Sequence, residues 1–240
     1  MLGTFLISFG APTRAVIVLS AFVVTTAISM GSTATAQQYD PMRRTAGIEY
    51  SIPGRGWSDN LISNQLETLE DSALLDQFED SLPGTKRELA ASESIFLLTK
   101  HVGGQEIARM SLAISYMQPD SRITQDELAK DPKLQSAIKT HVIPNVGMDL
   151  AQTFASTSAY KSARFSEGSL KQFDGRFCLV YEFETVLADN RAPSNWSIQC
   201  PSAESLMVFT VFIEKDHRLT TFEEVGKTVA SVDLKNFRWN

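Results

Sequence analysis

The chain has few of the residues from which most active sites and metal sites are built. Only two of its 240 residues are cysteine and only three are histidine. No G-x-S-x-G or C-x-x-C motif is present, and no histidine stands at metal-ligand spacing from a second ligand. Residues 226–228 (Gly-Lys-Thr) end like a phosphate loop, but the glycine required five positions earlier is Thr221. We therefore predict no catalytic motif, no metal site and no cofactor.

A basic excess is also missing. Lys and Arg total 22 against 28 for Asp and Glu, and the formal net charge is −6. Proteins that bind nucleic acids usually carry a basic patch, and anionic membrane surfaces attract Lys and Arg in the same way. The composition therefore predicts neither nucleic acid nor an anionic membrane surface as partner.

The first 36 residues have the pattern of a secretory signal peptide. Arg14 precedes the apolar stretch 15–30, and small residues end in Ala-Thr-Ala at 34–36. An uncleaved membrane anchor is the alternative, but the apolar stretch is shorter than the roughly 20 residues that span a bilayer. We predict cleavage after Ala36, a periplasmic or secreted mature protein, and no stable membrane insertion after cleavage.

The rest of the chain reads as one domain. Residues 37–46 are polar and are predicted to be a flexible lead-in rather than an element, and residues 47–240 are long enough for one well-packed core. The predicted strands are 47–52, 94–100, 106–117, 160–166, 176–187 and 206–215, with the last one central because 206–213 is apolar on both faces. These features predict a single α+β domain with a mostly antiparallel sheet flanked by helices.

Three helical regions are predicted. Residues 60–82 have helical character, and a central region begins at the capping box Thr124–Glu127 and is interrupted by Pro144. A second capping box at Thr221–Glu224 predicts the start of a closing amphipathic helix.

Cys178 and Cys200 are predicted to form a disulfide, because an even pair in an exported protein is usually bridged. A bridge requires residues 188–200 to run back along the strand that contains Cys178, and 195–199 could do so as a short extra strand. Two free thiols are the alternative.

The most suggestive segment for recognition is the turn after the first strand. Arg55 lies between Gly54 and Gly56 and is followed by Trp57. An arginine in this setting can bind an anionic group while the indole packs beside it. The alternative is a structural turn in which the glycines serve backbone geometry and Trp57 covers the edge of the core.

Several segments resemble the PsbP-like family. The similarity involves Ile52-Pro53-Gly54-Arg55-Gly56-Trp57, the late strand at 177–183 and the ending at 229–237. The resemblance implies an antiparallel sheet flanked by helices, used for docking and assembly of larger complexes and usually without an active site.

Two functions from different classes follow. The leading one is an exported, non-catalytic binding or assembly accessory protein with an envelope protein as its possible partner, and Arg55 and Trp57 are its candidate binding residues. The other is a periplasmic hydrolase whose acid and base come from scattered residues such as Asp216, His217 and Glu223. Convergence of these three in one pocket would favour the hydrolase.

Overall fold

The computed structural model of the protein describes residues 42–45, 48–59, 92–117 and 122–235. The signal peptide, most of the lead-in and the helix expected at 60–82 lie outside these residues. Those three expectations therefore stay predictions.

Nine strands are present in the described residues. They are β1 (Met42–Thr45), β2 (Ile48–Ser51), β3 (Trp57–Asp59), β4 (Ser92–Val102), β5 (Gln105–Tyr116), β6 (Tyr160–Phe173), β7 (Arg176–Leu187), β8 (Ser194–Pro201) and β9 (Ser205–Ile213). Seven of them form one sheet in the order β3-β4-β5-β9-β8-β7-β6, and every neighbouring pair is antiparallel. The predicted α+β fold with a mostly antiparallel sheet is confirmed, and β9 lies at its centre.

Strand β1 forms within the segment expected to be a lead-in without an element. It pairs antiparallel with β2, from Met42 opposite Ser51 to Thr45 opposite Ile48. Backbone pairing joins the two strands whatever the side chains are, so the polar composition of 37–46 was a poor guide at this point.

The helices are α1 (Gln125–Lys130), α2 (Pro132–Ala137), α3 (Ile143–Ala155) and α4 (Arg218–Ser231), and a π-helical turn (Ile138–Val142) joins α2 to α3. The predicted capping box at Thr124 is confirmed, since Thr124 and Glu127 each accept a hydrogen bond from the other's backbone N–H. Pro144 has no N–H to donate to the preceding turn, and the π-helical turn lies at this position, as the predicted interruption requires. None of the described helices is long and apolar enough to cross a membrane.

The second predicted capping box is wrong. Helix α4 begins at Arg218, three residues before Thr221, which is fully buried and whose hydroxyl has no hydrogen-bond partner. Glu224 turns away from the helix and bonds to other elements instead. Packing of Thr221 against the core overrides the local capping pattern.

Two hydrophobic cores lie on opposite faces of the sheet. On the first face, α4 and β2 cover residues such as Phe96, Met110 and Phe209. On the second face, the segment from α1 to α3 packs on β6 and β7, where Phe154 contacts Phe183 edge-on. Each fully buried side chain of this size contributes about 1.5–3 kcal/mol.

One end of the sheet is tied together by a disulfide. Strand β8 runs back along β7 with Leu179 opposite Gln199, which places Cys178 and Cys200 side by side with a Cα–Cα distance of 4.3 Å and a disulfide between them. Beside it, the Gln125 side-chain amide donates to the backbone oxygens of Phe177 and Pro201 at 2.9 and 2.7 Å. We call this the disulfide end.

Arg176 anchors α4 at the same end. Its guanidinium donates to the backbone oxygens of Val229 and Val232 at 2.7 and 2.6 Å, which are among the carbonyls that a helix C-terminus leaves unpaired. Burial lowers the pKa of Arg176. Helix α4 therefore ends at the disulfide end and begins at the opposite end of the sheet.

Candidate binding site at the loop end of the sheet

Four connections meet at the end of the sheet opposite the disulfide. They are the turn 53–56 before β3, the turn 103–104 between β4 and β5, the loop 188–193 between β7 and β8, and the connection 214–217 between β9 and α4. We call this the loop end. Loops positioned by a rigid sheet are a common place for binding residues.

The turn that carries Arg55 is held from both sides. The Trp57 N–H lies 3.4 Å from the Gly54 oxygen across the turn, and the His101 N–H donates to the Gly56 oxygen at 3.0 Å. Gly56 has φ of 85°, a conformation that glycine adopts readily and larger residues rarely do. The turn is therefore a defined structure joined to the end of β4.

Trp57 and Arg55 have different environments. Trp57 is 6% exposed and belongs to the first core, so its ring is not on the surface. Arg55 is exposed and has no hydrogen-bond or ion-pair partner among the described residues. Of the two candidate binding residues, only Arg55 is placed where a partner could touch it directly, and binding by either residue stays a prediction.

Glu224 connects the turn to the final helix. One of its carboxylate oxygens accepts from Trp57 Nε1 at 2.8 Å and from Lys100 Nζ at 2.6 Å. A Cβ placed on Gly54 would lie 3.8 Å from the same carboxylate, so the backbone of the turn passes directly beside it. The side chains of Lys100 and Glu224 are 12% and 27% exposed, which shields this pair from solvent better than an ordinary surface salt bridge.

The hairpin between β4 and β5 adds an apolar group to the loop end. Val102 lies opposite Gln105 and is 51% exposed, among the largest exposed fractions of any described large hydrophobic residue. The two glycines that follow have positive φ and open space around them. Since His101 bonds to the turn of Arg55, Val102 and Arg55 lie on joined loops.

A cavity of about 380 Å³ opens beside the same hairpin. It is lined by Gln105, Ile107, Ala192 and residues 214–217. The Glu214 N–H donates to the Ile107 backbone oxygen at 2.8 Å, and this hydrogen bond joins two segments that line the cavity. Its charged lining includes both signs, so the cavity can accept polar groups.

The loop 188–193 is fixed beside this cavity by ion pairs. Arg191 Nε contacts an oxygen of Asp189 at 2.7 Å, and its Nη1 lies 3.4 Å from Glu214. Hydrogen bonds from the Arg191 backbone and side chain lower the pKa of Asp189, and the bond to Asp189 raises the pKa of Arg191. Glu214, which lines the cavity, therefore already has an ion-pair partner in Arg191, which is not part of the lining.

The residues expected for a hydrolase do not converge. Asp216 and His217 line the cavity, whereas Glu223 is exposed on α4 and is not part of the lining. No group of three or more His, Cys, Asp or Glu side chains that could hold a metal occurs in the part of the chain that the structure describes. The geometry brings together only two of the three residues that the hydrolase alternative requires.

Sequence reasoning identified Arg55 but missed Lys100, Glu224 and Val102. Lys100 and Glu224 are 124 residues apart in the chain, and no local pattern links them. For Val102, the following pair of glycines was a usable signal, because a glycine turn exposes the residues that flank it.

Taken by its fold, the chain is a single-domain α+β protein whose loops gather at one end of a seven-stranded antiparallel sheet. No protein-family model and no curated protein matches the sequence. The structure is similar to the solution structure of cyanobacterial PsbP (CyanoP) from Synechocystis sp. PCC 6803, with a TM-score of 0.47 and 13% identity over 84% of this chain and 97% of that one. The predicted PsbP-like resemblance is confirmed as a weak one.

Proposed function

We propose that the protein is an exported binding or assembly accessory protein, without catalytic chemistry, that engages an envelope protein through the loop end. The observation that carries this proposal is that Arg55, a cation without a partner in the described part of the chain, and Val102, an exposed apolar residue, lie on joined loops that a rigid sheet positions. Accessible arginines next to apolar contacts are frequent centres of interface energy.

Recognition by strand addition is less favoured than recognition by the loops. At one edge of the sheet β3 has three residues in the part of the chain that the structure describes. At the other edge β6 has two register shifts and exposed charged residues such as Lys161, Arg164 and Glu167. Short, bulged and charged edges are the features with which proteins prevent added strands, so the sheet edges fit a partner poorly.

Site-specific photo-cross-linking tests this proposal. A benzophenone amino acid replaces Gln105, an exposed residue opposite Val102, in one variant and Lys133, an exposed residue of α2, in the control variant, and both are exported in the native host. Arg55 and Val102 are kept in both variants. We expect a light-dependent adduct with an envelope protein from position 105 and none from position 133. Absence of an adduct at 105, or equal adducts at both positions, would contradict the proposal.

A further inference from the structure

We infer that the loop end recognises an acidic segment of its partner, in which a carboxylate binds Arg55 and an adjacent apolar side chain packs on Val102. This inference rests on the proposed function and adds the chemistry of the partner. It depends on which charges near the turn are already neutralised and which charge is left.

Two carboxylates beside the turn and the hairpin are occupied. Glu224 holds Lys100 and Trp57. Glu106, at the start of β5, holds Arg109 with both of its oxygens at 3.0 and 3.1 Å. Since these two carboxylates already have partners, Arg55 is left as a cation without an internal counter-charge among the described residues.

Lys100 is the residue that keeps Arg55 available. The carboxylate of Glu224 lies beside Gly54, one residue from Arg55, and is an internal acid with which the guanidinium would otherwise compete for pairing. The 2.6 Å contact from Lys100 neutralises it first. Lys100 is thereby a positioning residue, because it acts on the partner surface through Glu224 without forming part of that surface.

Charge complementarity favours a carboxylate as the partner group. The chain as a whole has a net charge of −6 and repels acidic partners at long range. Attraction must therefore come from a local cation, and a planar guanidinium binds a carboxylate with two parallel hydrogen bonds. Asp216 lines the cavity beside the hairpin and opposes this attraction there.

The test uses a nonapeptide with two glutamates flanking a leucine. Two control peptides replace the glutamates by lysines or the leucine by serine. Binding to the exported protein is measured by amide chemical-shift titration, which detects weak complexes and locates them. We expect shifts around Arg55 and Val102 with the acidic peptide, weaker shifts with the serine peptide, and none with the lysine peptide.

Variants then separate the roles of the three charged residues. Arg55→Ala should weaken binding about two- to fivefold, the range of an exposed ion pair, and Lys133→Ala should leave it unchanged. Lys100→Met should weaken it to a similar degree, because Glu224 then pairs with Arg55. Adding Glu224→Gln to Lys100→Met should restore binding, a recovery that general damage to the fold would not produce.

Three results would overturn the inference: no shifts at millimolar acidic peptide, equal shifts with the lysine peptide, or no recovery in the double variant. The proposed function is judged separately by the cross-link. An adduct at position 105 without acidic-peptide binding would retain the envelope partner and reject its acidic segment.

Discussion

At the scale of single residues, the loop end depends on the contacts that Glu224 makes. It links α4 to the turn through Trp57 and to the end of β4 through Lys100. Helix α4 also bonds to β2, where the Thr228 hydroxyl donates to the Ser51 oxygen at 2.8 Å. The position of Arg55 is therefore set by contacts to a helix more than 160 residues away in the chain.

The two candidate binding residues should differ in their effect on folding. Arg55→Ala should change the free energy of unfolding by less than about 0.5 kcal/mol, because the side chain is exposed and has no partner among residues 42–45, 48–59, 92–117 and 122–235. Trp57→Ala should lower it by about 3–5 kcal/mol, because it removes a core side chain and a donor to Glu224. Urea denaturation of both variants measures this. A large loss in Arg55→Ala would instead identify Arg55 as a structural residue.

Tyr160 should make the protein less stable at high pH. Burial raises its pKa to about 12, against about 10 in an unfolded chain. The folded state therefore holds the phenolic proton more tightly, and this contribution, about 3 kcal/mol at most, is complete below pH 10 and is lost as the pH rises towards 12. Urea denaturation from pH 8 to 11.5 should show a steeper decline for the wild type than for Tyr160→Phe. Equal slopes would contradict the assignment to Tyr160.

At the scale of elements, the packing of α3 on β6 depends on two glycines. A Cβ at Gly147 would lie 2.4 Å from the Phe165 ring, and one at Gly168 would lie 2.1 Å from Ile143 Cγ2. Contacts this short are possible only without a side chain, so the helix approaches the strand more closely than other residues would allow. Gly168 is thus required by the helix that lies on top of it.

Gly168→Ala should lower the free energy of unfolding by about 1–3 kcal/mol or more, the usual cost of overpacking. The neighbouring half-buried residue supplies a control, and Ser169→Ala should have a much smaller effect. Adding Ile143→Ala to Gly168→Ala should recover part of the loss beyond additivity, since it removes the contacted methyl group. Strict additivity of the two changes would contradict the proposed contact.

The disulfide should stabilise the β7 and β8 pair against unfolding. Its two cysteines are separated by 22 residues, for which the chain-entropy estimate is about 3 kcal/mol. Thiol titration of the denatured, unreduced protein should find no free thiol, and Cys178→Ser with Cys200→Ser should lower the free energy of unfolding by about that amount. Two titratable thiols would contradict the bridge.

At the scale of the whole molecule, the two ends of the sheet are built differently. The disulfide, Gln125 and Arg176 tie one end together, while the other end carries exposed Arg55 and Val102 on its loops. Helix α4 spans both ends and carries Glu224 at its middle. A closed end that holds the strands and an open end that presents side chains is a suitable arrangement for a binding module.

Export remains the prediction that concerns the whole chain. Ala34 and Ala36 fit the small-residue positions of signal peptidase, so the mature protein should begin at Gln37. N-terminal sequencing of material from the periplasm or the medium measures this directly. Recovery of the intact first 36 residues in a membrane fraction would show an anchor instead.

Strand prediction from the sequence succeeded where apolar residues alternate regularly and failed where the strand is mostly polar. The alternation of apolar residues from Arg176 to Leu187 predicted β7 to the residue. Strand β6 was expected to end at Ser166 but continues to Phe173. The prediction stopped too early because this edge strand exposes polar residues on both sides of its register shift. Backbone pairing with β7 maintains this strand, and such pairing leaves no periodic pattern of apolar residues in the sequence of β6.

The sequence by itself determined the α+β class, the central position of β9 and the start of α1, because each depends on hydrophobic alternation or a local cap. It left a disulfide and two free thiols as alternatives, and the return of β8 along β7 brings the cysteines together. Only the tertiary structure decided that Trp57 is buried, that Lys100 neutralises Glu224 and that Arg55 has no partner among the described residues. Glu224 is separated from Trp57 by 167 residues and from Lys100 by 124. Local patterns describe interactions within a few residues, and the availability of a charge is set by side chains that only folding brings together.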